Sequence, residues 1–238
     1  MEGLTAIPAA PSEGTMLTKA LFHSLNAKLD GQYTQIDNVL REAGLEHAEH
    51  AKSWSNKLRT SDAGTFFEMS HCHTMPFPML AVHRAAWRSV NLNVLSNRGT
   101  VEHVTDDTIN MTFSETLQSA QGNVTMKGTM AFRRYIEESR IVTVWSGVVE
   151  MEGSMYVRLR EEGWSSMAPA KINPAHASVS VNVARATPEV ADVATAQERR
   201  AHIGEMTDLV LGTYRRFLVK VNQGIENLLL ADPLVVGT

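Results

Sequence analysis

The stretch TAQERRAHIGEMTDLVLGTYRRFLVKVNQGIENLLL, residues 195–230, decides how the rest of this sequence is interpreted. Its apolar side chains recur at steps of three and four residues, which places them in one stripe along a long α-helix. The stripe consists of Ile203, Met206, Val210, Tyr214, Phe217, Val221, Ile225 and Leu228. About 36 helical residues with a rise of roughly 1.5 Å would span roughly 54 Å. A helix of this length must lie across a large structure.

The sequence before this helix predicts a β-sheet. After Gly99 the apolar pattern changes to a period of two, and polar or glycine-containing turns separate the runs. Strands are predicted at 65–74, 101–104, 109–117, 124–136, 141–151, 155–168 and 177–186. The connections after Gly99 are too short to hold crossover helices, so neighbouring strands there should be antiparallel. One such sheet with flanking helices makes an α+β domain.

A long helix is also predicted at the N-terminal end. Its apolar stripe indicates one continuous helix, with Thr15 as the N-cap and Gly44 as the residue after the C-cap. The stripe contains Leu17, Leu21, Leu25, Leu29, Tyr33, Ile36 and Leu40. The polar residues 46–62 that follow have weak periodicity, and no element is predicted there.

A short helix should follow the first strand. Pro78 suits the first turn of this helix, and Leu80, Arg84, Trp87 and Val90 follow it at helical spacing. With these elements, residues 15–231 are expected to form a single domain between a flexible N-terminal tail at 1–14 and a C-terminal tail at 232–238.

Composition narrows the functional class. Of the 238 residues, 43% are hydrophobic and 20% are charged, which is ordinary for a soluble globular domain. The net charge of −4 argues against a nucleic-acid-binding surface. Cys72 is the single cysteine, so an internal disulfide is excluded and a reducing compartment fits. Because no apolar run is long enough for a membrane span, we expect a cytoplasmic protein.

The sequence contains no recognisable catalytic or metal-binding pattern. It has no Ser/His/Asp motif, no glycine-rich phosphate loop and no paired-carboxylate signature, so neither an enzyme nor a cofactor is predicted. His71 and His73 flank Cys72, but on a strand the two histidines share one face and the cysteine points to the other. That arrangement chelates a metal ion poorly.

Two positions in the strands leave alternatives open. Arg134 shares the apolar face of Met130 and Phe132 in one strand register, where it would need a carboxylate or a polar ligand head as its partner. In the other register Arg133 points inward and Arg134 faces solvent. Gly147 leaves space beside Trp145, which either a ligand or a bulky core side chain would occupy.

Two stretches resemble a known superfamily. Residues 132–147, FRRYIEESRIVTVWSG, and residues 156–164, YVRLREEGW, resemble the START-like, or helix-grip, lipid-binding proteins. The first stretch is most similar to START-like proteins of oomycetes, including their mating-specific relatives. The resemblance implies a curved antiparallel sheet wrapped around the C-terminal helix, with a hydrophobic tunnel between them. It also implies a flexible lid at 119–128 and neither cofactor nor catalysis.

The leading functional prediction is the binding or transfer of a lipid or another small hydrophobic ligand. Its partners would be that ligand and, transiently, a membrane, with no nucleic acid; the oligomeric state stays open. The alternatives are an enzyme on the same fold, as in polyketide cyclases and aromatases, and a regulatory interaction module with a filled cavity. The predicted ligand-binding residues are Trp87, Phe113, Met130, Phe132, Arg134, Trp145, Met206, Val210 and Phe217.

Overall fold

The computed structural model describes residues 13–47, 53–61, 64–91, 99–119, 122–153, 155–189 and 196–231. The predicted tails, 1–14 and 232–238, lie outside the described residues apart from Glu13 and Gly14. The elements are α1 (Glu13–Asn26), α2 (Leu29–Tyr33), α3 (Ile36–Glu42), β1 (Ser53–Ser61), β2 (Gly64–Met75), α4 (Met79–Asn91), β3 (Gly99–Thr105), β4 (Thr108–Ser119), β5 (Gly122–Ile136), β6 (Ile141–Glu152), β7 (Tyr156–Pro169), β8 (Ser178–Pro188) and α5 (Ala196–Leu230).

The described strands form one curved, open, antiparallel sheet of eight strands in the order β1-β2-β8-β7-β6-β5-β4-β3. The pairing of β2 with β8 joins the first hairpin to the strands that follow α4. β1 and β3 are the edges. The predicted antiparallel sheet is therefore confirmed, with one strand more than the sequence indicated.

Helices cover both faces of this sheet. We call the face against α4 and α5 the inner face, and the face against α1–α3 the outer face. Because side chains alternate along a strand, each central strand contributes to both faces. On the outer face Leu29 and Ile36 pack against Val144 and Trp164. On the inner face α5 packs along the sheet, which confirms the α+β helix-grip fold.

The terminal helix follows the prediction closely. α5 extends from Ala196 to Leu230, against a predicted range of 195–230. Met206, Val210 and Tyr214 of its stripe are buried, as expected for a helix laid on a sheet. None of the helices in the described part of the chain combines the length and apolar character that a membrane span requires.

The N-terminal helix is not continuous, contrary to the prediction. It divides into α1, α2 and α3, and both joints contain tight bonds from N–H(i) to C=O(i−3), at Lys28–Leu25 and Gln35–Gln32. A straight helix could not follow the curved sheet below it, whereas three short helices can. The predicted end is confirmed, because Gly44 has φ +74° and the N–H of Leu45 donates to the carbonyl of Leu40 at 2.8 Å.

One other local prediction was wrong. The polar residues 46–62 include the edge strand β1, which has no apolar alternation because only one of its sides pairs with a neighbour. The predicted short helix is present as α4, and its buried face contains Val82, His83 and Trp87, whereas Leu80 is exposed.

The expected lid at 119–128 is a paired strand end instead of a loop. β4 and β5 pair from Thr108 to Ser119, and Ser119 faces Gly122 directly. Only residues 120–121 lie between the two strands. Gly128 does not act as a hinge, because the ring of Phe113 fills the space beside it; an added Cβ would lie 2.1 Å from that ring.

Candidate ligand-binding cavity

A cavity of about 220 Å³ lies between the inner face of the sheet and the helices α4 and α5. The sheet contributes methionine and aromatic side chains to its floor, such as Met130 and Trp145. α4 and α5 contribute the opposite wall, which includes Trp87 and Phe217. The lining is mostly apolar, so the cavity suits an apolar molecule more than ordered water.

The structure brings six of the nine predicted site residues to this cavity. The lining residues among them are Trp87, Phe113, Met130, Phe132, Trp145 and Phe217. Met206 and Val210 are buried in the inner-face cluster but do not line the cavity. The apolar stripe of α5 is longer than the cavity, and the described lining residues of α5 begin at Tyr214.

Arg134 is the third predicted residue that does not line the cavity. It lies on the inner face, opposite Thr143. This is the register in which Arg134 shares a face with Met130 and Phe132. Its Nε donates to Asp107 Oδ1 at 2.8 Å, and its guanidinium lies 4.7 Å from the ring centroid of Trp87. The charge is therefore compensated beside the cavity and does not point into it. Arg133 faces the other way and pairs with Asp30 at 2.6 Å.

His83 separates Arg134 from the cavity. Arg134 Nη1 lies 3.4 Å from Nε2 of His83, and since a guanidinium can only donate, Nε2 must accept. Burial, and after it the neighbouring Arg134 charge, lower the pKa of His83 to about 4. His83 is consequently a neutral lining residue near neutral pH.

Three glycines on the inner face each accommodate the bulky residue directly opposite. Phe113 faces Gly128, Met130 faces Gly147, and Trp145 faces Gly163. An added Cβ would lie 2.1, 2.1 and 1.9 Å from those side chains, respectively. Each bulky side chain thus lies flat across the neighbouring strand. The space beside Trp145 that Gly147 leaves is filled by Met130, so the core alternative for that position is confirmed.

The structure also reveals a candidate site residue that the sequence did not indicate. Glu161 is buried on the inner face of β7 and lines the cavity. Trp145 Nε1 donates to its Oε1 at 2.6 Å, and the hydroxyl of Tyr214 donates to its Oε2. Burial raises the pKa of Glu161, and the two hydrogen bonds oppose that effect.

Glu161 was hidden by its neighbours in the sequence. In the run Arg158-Leu159-Arg160-Glu161-Glu162 it resembles one charge of a solvated strand. The sequence could have indicated its burial through strand alternation. Val157 and Leu159 are buried at every second position, and Glu161 is the next position in that series. Its donors are 16 and 53 positions away, so no local pattern could reveal them.

A row of polar side chains crosses the floor of the cavity. His71, Asn182, Ser165 and Thr143 are successive cross-strand partners on β2, β8, β7 and β6. All four line the cavity, and the row continues to Arg134 on β5. Cross-strand partners on one face are close neighbours. The floor therefore offers hydrogen-bonding groups along one line within an apolar surrounding.

The histidines of the His71-Cys72-His73 segment face the cavity without forming a metal site. His71 stacks on Trp54 with ring centroids 4.0 Å apart, and Cys72 is buried on the outer face. Burial raises the pKa of the Cys72 thiol. Within the described residues no group of three His, Cys, Asp or Glu side chains is placed to hold a metal ion.

The stretch 132–147 mainly holds the N-terminal helices on the sheet. On the outer face Arg133 and the hydroxyl of Tyr135 both donate to Asp30, at 2.6 and 2.5 Å. Arg140 donates to Asp37 at 2.5 Å. These contacts account for the charged and aromatic residues at Arg133, Tyr135 and Arg140, and none of the three lines the cavity.

No protein-family model matches the chain, and neither does any curated protein. Several solved structures are similar to it, among them the following three. A conserved protein from Geobacillus kaustophilus has 13% identity and a TM-score of 0.37, with coverage of 67% of this chain and 95% of that one. An uncharacterised protein from Rhizobium leguminosarum has 10% identity and a TM-score of 0.31, with coverage of 75% and 99%. CalU16 from Micromonospora echinospora has 13% identity and a TM-score of 0.24, with coverage of 75% and 96%. Identities and TM-scores this low indicate neither a ligand nor an activity. The strand order and the positions of the helices define the fold.

Proposed function

We propose that the protein binds a small, largely apolar ligand in the cavity between the sheet and α4 and α5. The observation that carries this proposal is the space itself. A space of about 220 Å³ lies beside flexible methionine and aromatic side chains. A core that serves stability alone gains dispersion energy by closing such a space, so a fold that keeps it open favours an occupant.

The volume limits the size of the ligand. An engineered apolar cavity of about 150 Å³ binds benzene, and pockets for drug-sized molecules begin near 300 Å³. At about 220 Å³ this cavity suits a molecule of about two fused rings, or an alkyl chain of similar volume. A sterol or a diacyl lipid would require the helices to move outward.

We also propose that the protein is related to START-like lipid carriers, including those of oomycetes. This relationship is supported by the two sequence stretches that suggested it. Carriage of a ligand between membranes would be the further step, and transfer of bound ligand to lipid vesicles would test it.

The test of ligand binding uses the purified protein. Native mass spectrometry followed by organic extraction should reveal a co-purified apolar molecule, and two-ring hydrocarbons should raise the melting temperature. Ala184→Phe adds a ring to the cavity floor on β8 and should abolish both effects. Thr187→Phe, on the same strand but exposed, is the matched control. Equal binding by wild type and Ala184→Phe would contradict the proposal.

A second candidate function, proton transfer to or from the bound ligand, is favoured by Glu161 alone. A buried carboxyl with a raised pKa inside a cavity has the properties of a general acid or base. Mass spectrometry of ligands incubated with the protein would show a product if this function exists. Product formation that survives Glu161→Gln would exclude Glu161 as the acid or base.

A further inference from the structure

We infer that the ligand carries a hydrogen-bond donor, a hydroxyl or an amine on an apolar body, and that Glu161 binds this donor. We also infer that the cavity discriminates against ligands with an anionic head, such as fatty acids. Both inferences specify the chemistry of the ligand in the proposed function, and they therefore rest on that function.

The position of Glu161 leaves its carboxyl accessible from the cavity. Its cross-strand partners are Gly147 on β6 and Ala186 on β8. One has no side chain and the other has a single methyl group, so neither of them covers the carboxyl; Met130, which lies over Gly147, is a flexible lining residue of the same cavity. The residue is only 6% exposed to solvent, yet it lines the cavity. A molecule in the cavity can therefore reach it, whereas bulk water cannot.

The hydrogen bonds of Glu161 are incomplete. A carboxylate offers about four lone-pair sites on its two oxygens. Trp145 and Tyr214 occupy two of them. Within the described part of the chain no Lys, Arg or His side chain forms an ion pair with Glu161. The protein thus supplies two donors and no positive charge, and a ligand donor would complete the site.

Cations near the cavity are committed to other carboxylates. Among the described residues that line it, none is Lys or Arg. Arg134 pairs with Asp107 and Lys220 pairs with Glu115. His83 is held neutral, with a pKa of about 4. An anionic head would therefore enter a buried site that holds a carboxyl and, among the described lining residues, no lysine or arginine to pair with it, which is costly.

Aromatic rings give the cavity flat walls. Phe113 on β4 stacks on Phe217 of α5, with ring centroids 5.3 Å apart and planes 18° apart. Phe132 and Trp145 form a second stacked pair on the floor. Such faces suit a flat apolar body, and they attract an ammonium group more than a carboxylate.

A series of four ligands with one naphthalene body tests the inference. 2-Methylnaphthalene has no polar head, naphthalene-2-methanol has a neutral donor, naphthalene-2-methylamine has a cationic donor, and 2-naphthoate has an anionic head. Calorimetric titration of the full chain at pH 7 should rank the alcohol or the amine first. It should bind about tenfold more tightly than 2-naphthoate, as expected for a hydrogen bond to a buried carboxyl. The order of the two donors identifies which head the site prefers.

The variant Glu161→Gln links this order to Glu161. It should weaken binding of the preferred donor ligand about tenfold more than binding of 2-methylnaphthalene. Glu162→Gln is the control, because Glu162 is the next residue of β7 and faces the outer side. It should change none of the four affinities.

Three results would overturn the inference. If 2-naphthoate binds as tightly as the alcohol and the amine, or if Glu161→Gln keeps the wild-type order, the inference fails while the proposed function stands. If none of the four binds, the hydrocarbon included, the proposed function fails as well. The ligand order of the wild-type protein requires no substitution, so the test does not depend on the folding of Glu161→Gln.

Discussion

Single residues on the inner face hold the cavity floor in place, and Gly163 is the tightest of them. A Cβ at this position would lie 1.9 Å from Cε2 of Trp145, far below any real contact. Gly163→Ala should therefore displace the indole and break its hydrogen bond to Glu161, at a cost of roughly 1–3 kcal/mol. Urea denaturation measures the free energy of unfolding, and near-ultraviolet circular dichroism reports the displaced ring.

Gly204 provides the matched control. It lies in α5 with no atom within 4 Å of an added Cβ. Gly204→Ala should stabilise the protein by up to about 1 kcal/mol, because alanine favours a helix more than glycine does. A Gly163→Ala variant as stable as wild type would show that Trp145 has room to move.

His83 predicts a pH dependence of stability. Its pKa falls from 6.5 in the unfolded chain to about 4 in the folded protein, because of burial and the Arg134 charge. The unfolded chain binds this proton first, so the contribution of His83 is complete above pH 6.5 and is lost as the pH falls towards 4. Melting temperatures measured from pH 7 to pH 4 should fall more steeply for wild type than for His83→Gln. Parallel curves would contradict the prediction.

For single residues, the sequence predicts the positions that follow from the alternation of side chains along a strand and from side-chain size. Six of the nine predicted residues line the cavity because apolar side chains on one face share one environment. Arg134 was placed on the correct face, but its partner Asp107 depends on the geometry of the β3–β4 turn. Glu161 depends on Trp145 and Tyr214, which only the folded chain brings to it.

Among the elements, the three N-terminal helices are held on the sheet by a few polar contacts in addition to their buried apolar side chains. Arg140 pairs with Asp37 of α3 and with Glu137, and its side chain is 23% exposed. Arg140→Gln should destabilise the protein by about 1 kcal/mol, since Asp37 is itself largely exposed. Hydrogen exchange of the α3 amides should accelerate more than exchange in β6.

A neighbouring arginine controls for the loss of charge. Arg41 lies 3.8 Å from Glu46, and both side chains are about half exposed. Arg41→Gln should leave both stability and α3 exchange within error of wild type. Equal effects of the two substitutions would mean that the Arg140 pairs do not hold the helices.

Elements with a strong period were predicted well, and the others were not. α5 was located to within one residue because its stripe continues over its whole length. β1 was missed because a polar edge strand has no alternation to detect. The breaks among α1, α2 and α3 respond to the curvature of the sheet, which their own sequence does not contain.

Across the whole molecule, the outer face of the sheet should contribute mainly to stability, and the inner face should determine ligand affinity. Leu29→Ala removes a fully buried side chain under the outer face and should cost roughly 2–5 kcal/mol without changing ligand affinity. Phe217→Ala removes a half-buried wall of the cavity and should cost less, about 1–2 kcal/mol, while altering affinity for two-ring ligands.

The double variant completes this comparison. The two side chains lie on opposite sides of the sheet and share no partner, so their destabilisations should add within about 0.5 kcal/mol. Urea denaturation of the four proteins and titration with 2-methylnaphthalene supply the measurements. A large change in affinity caused by Leu29→Ala would show that the faces are coupled.

The paired strand end of β4 and β5 has a consequence for the kinetics of exchange. The cavity floor is fastened by backbone hydrogen bonds between strands. Among the described residues no backbone hydrogen bond joins α4 or α5 to the sheet, so side-chain packing fastens the cover, together with side-chain bonds such as Tyr214 to Glu161 and Lys220 to Glu115. A ligand should therefore leave by lifting a helix, and its residence time should depend on the strength of that packing. Substitutions at the contact between α4 and α5 would then change the dissociation rate more than the affinity.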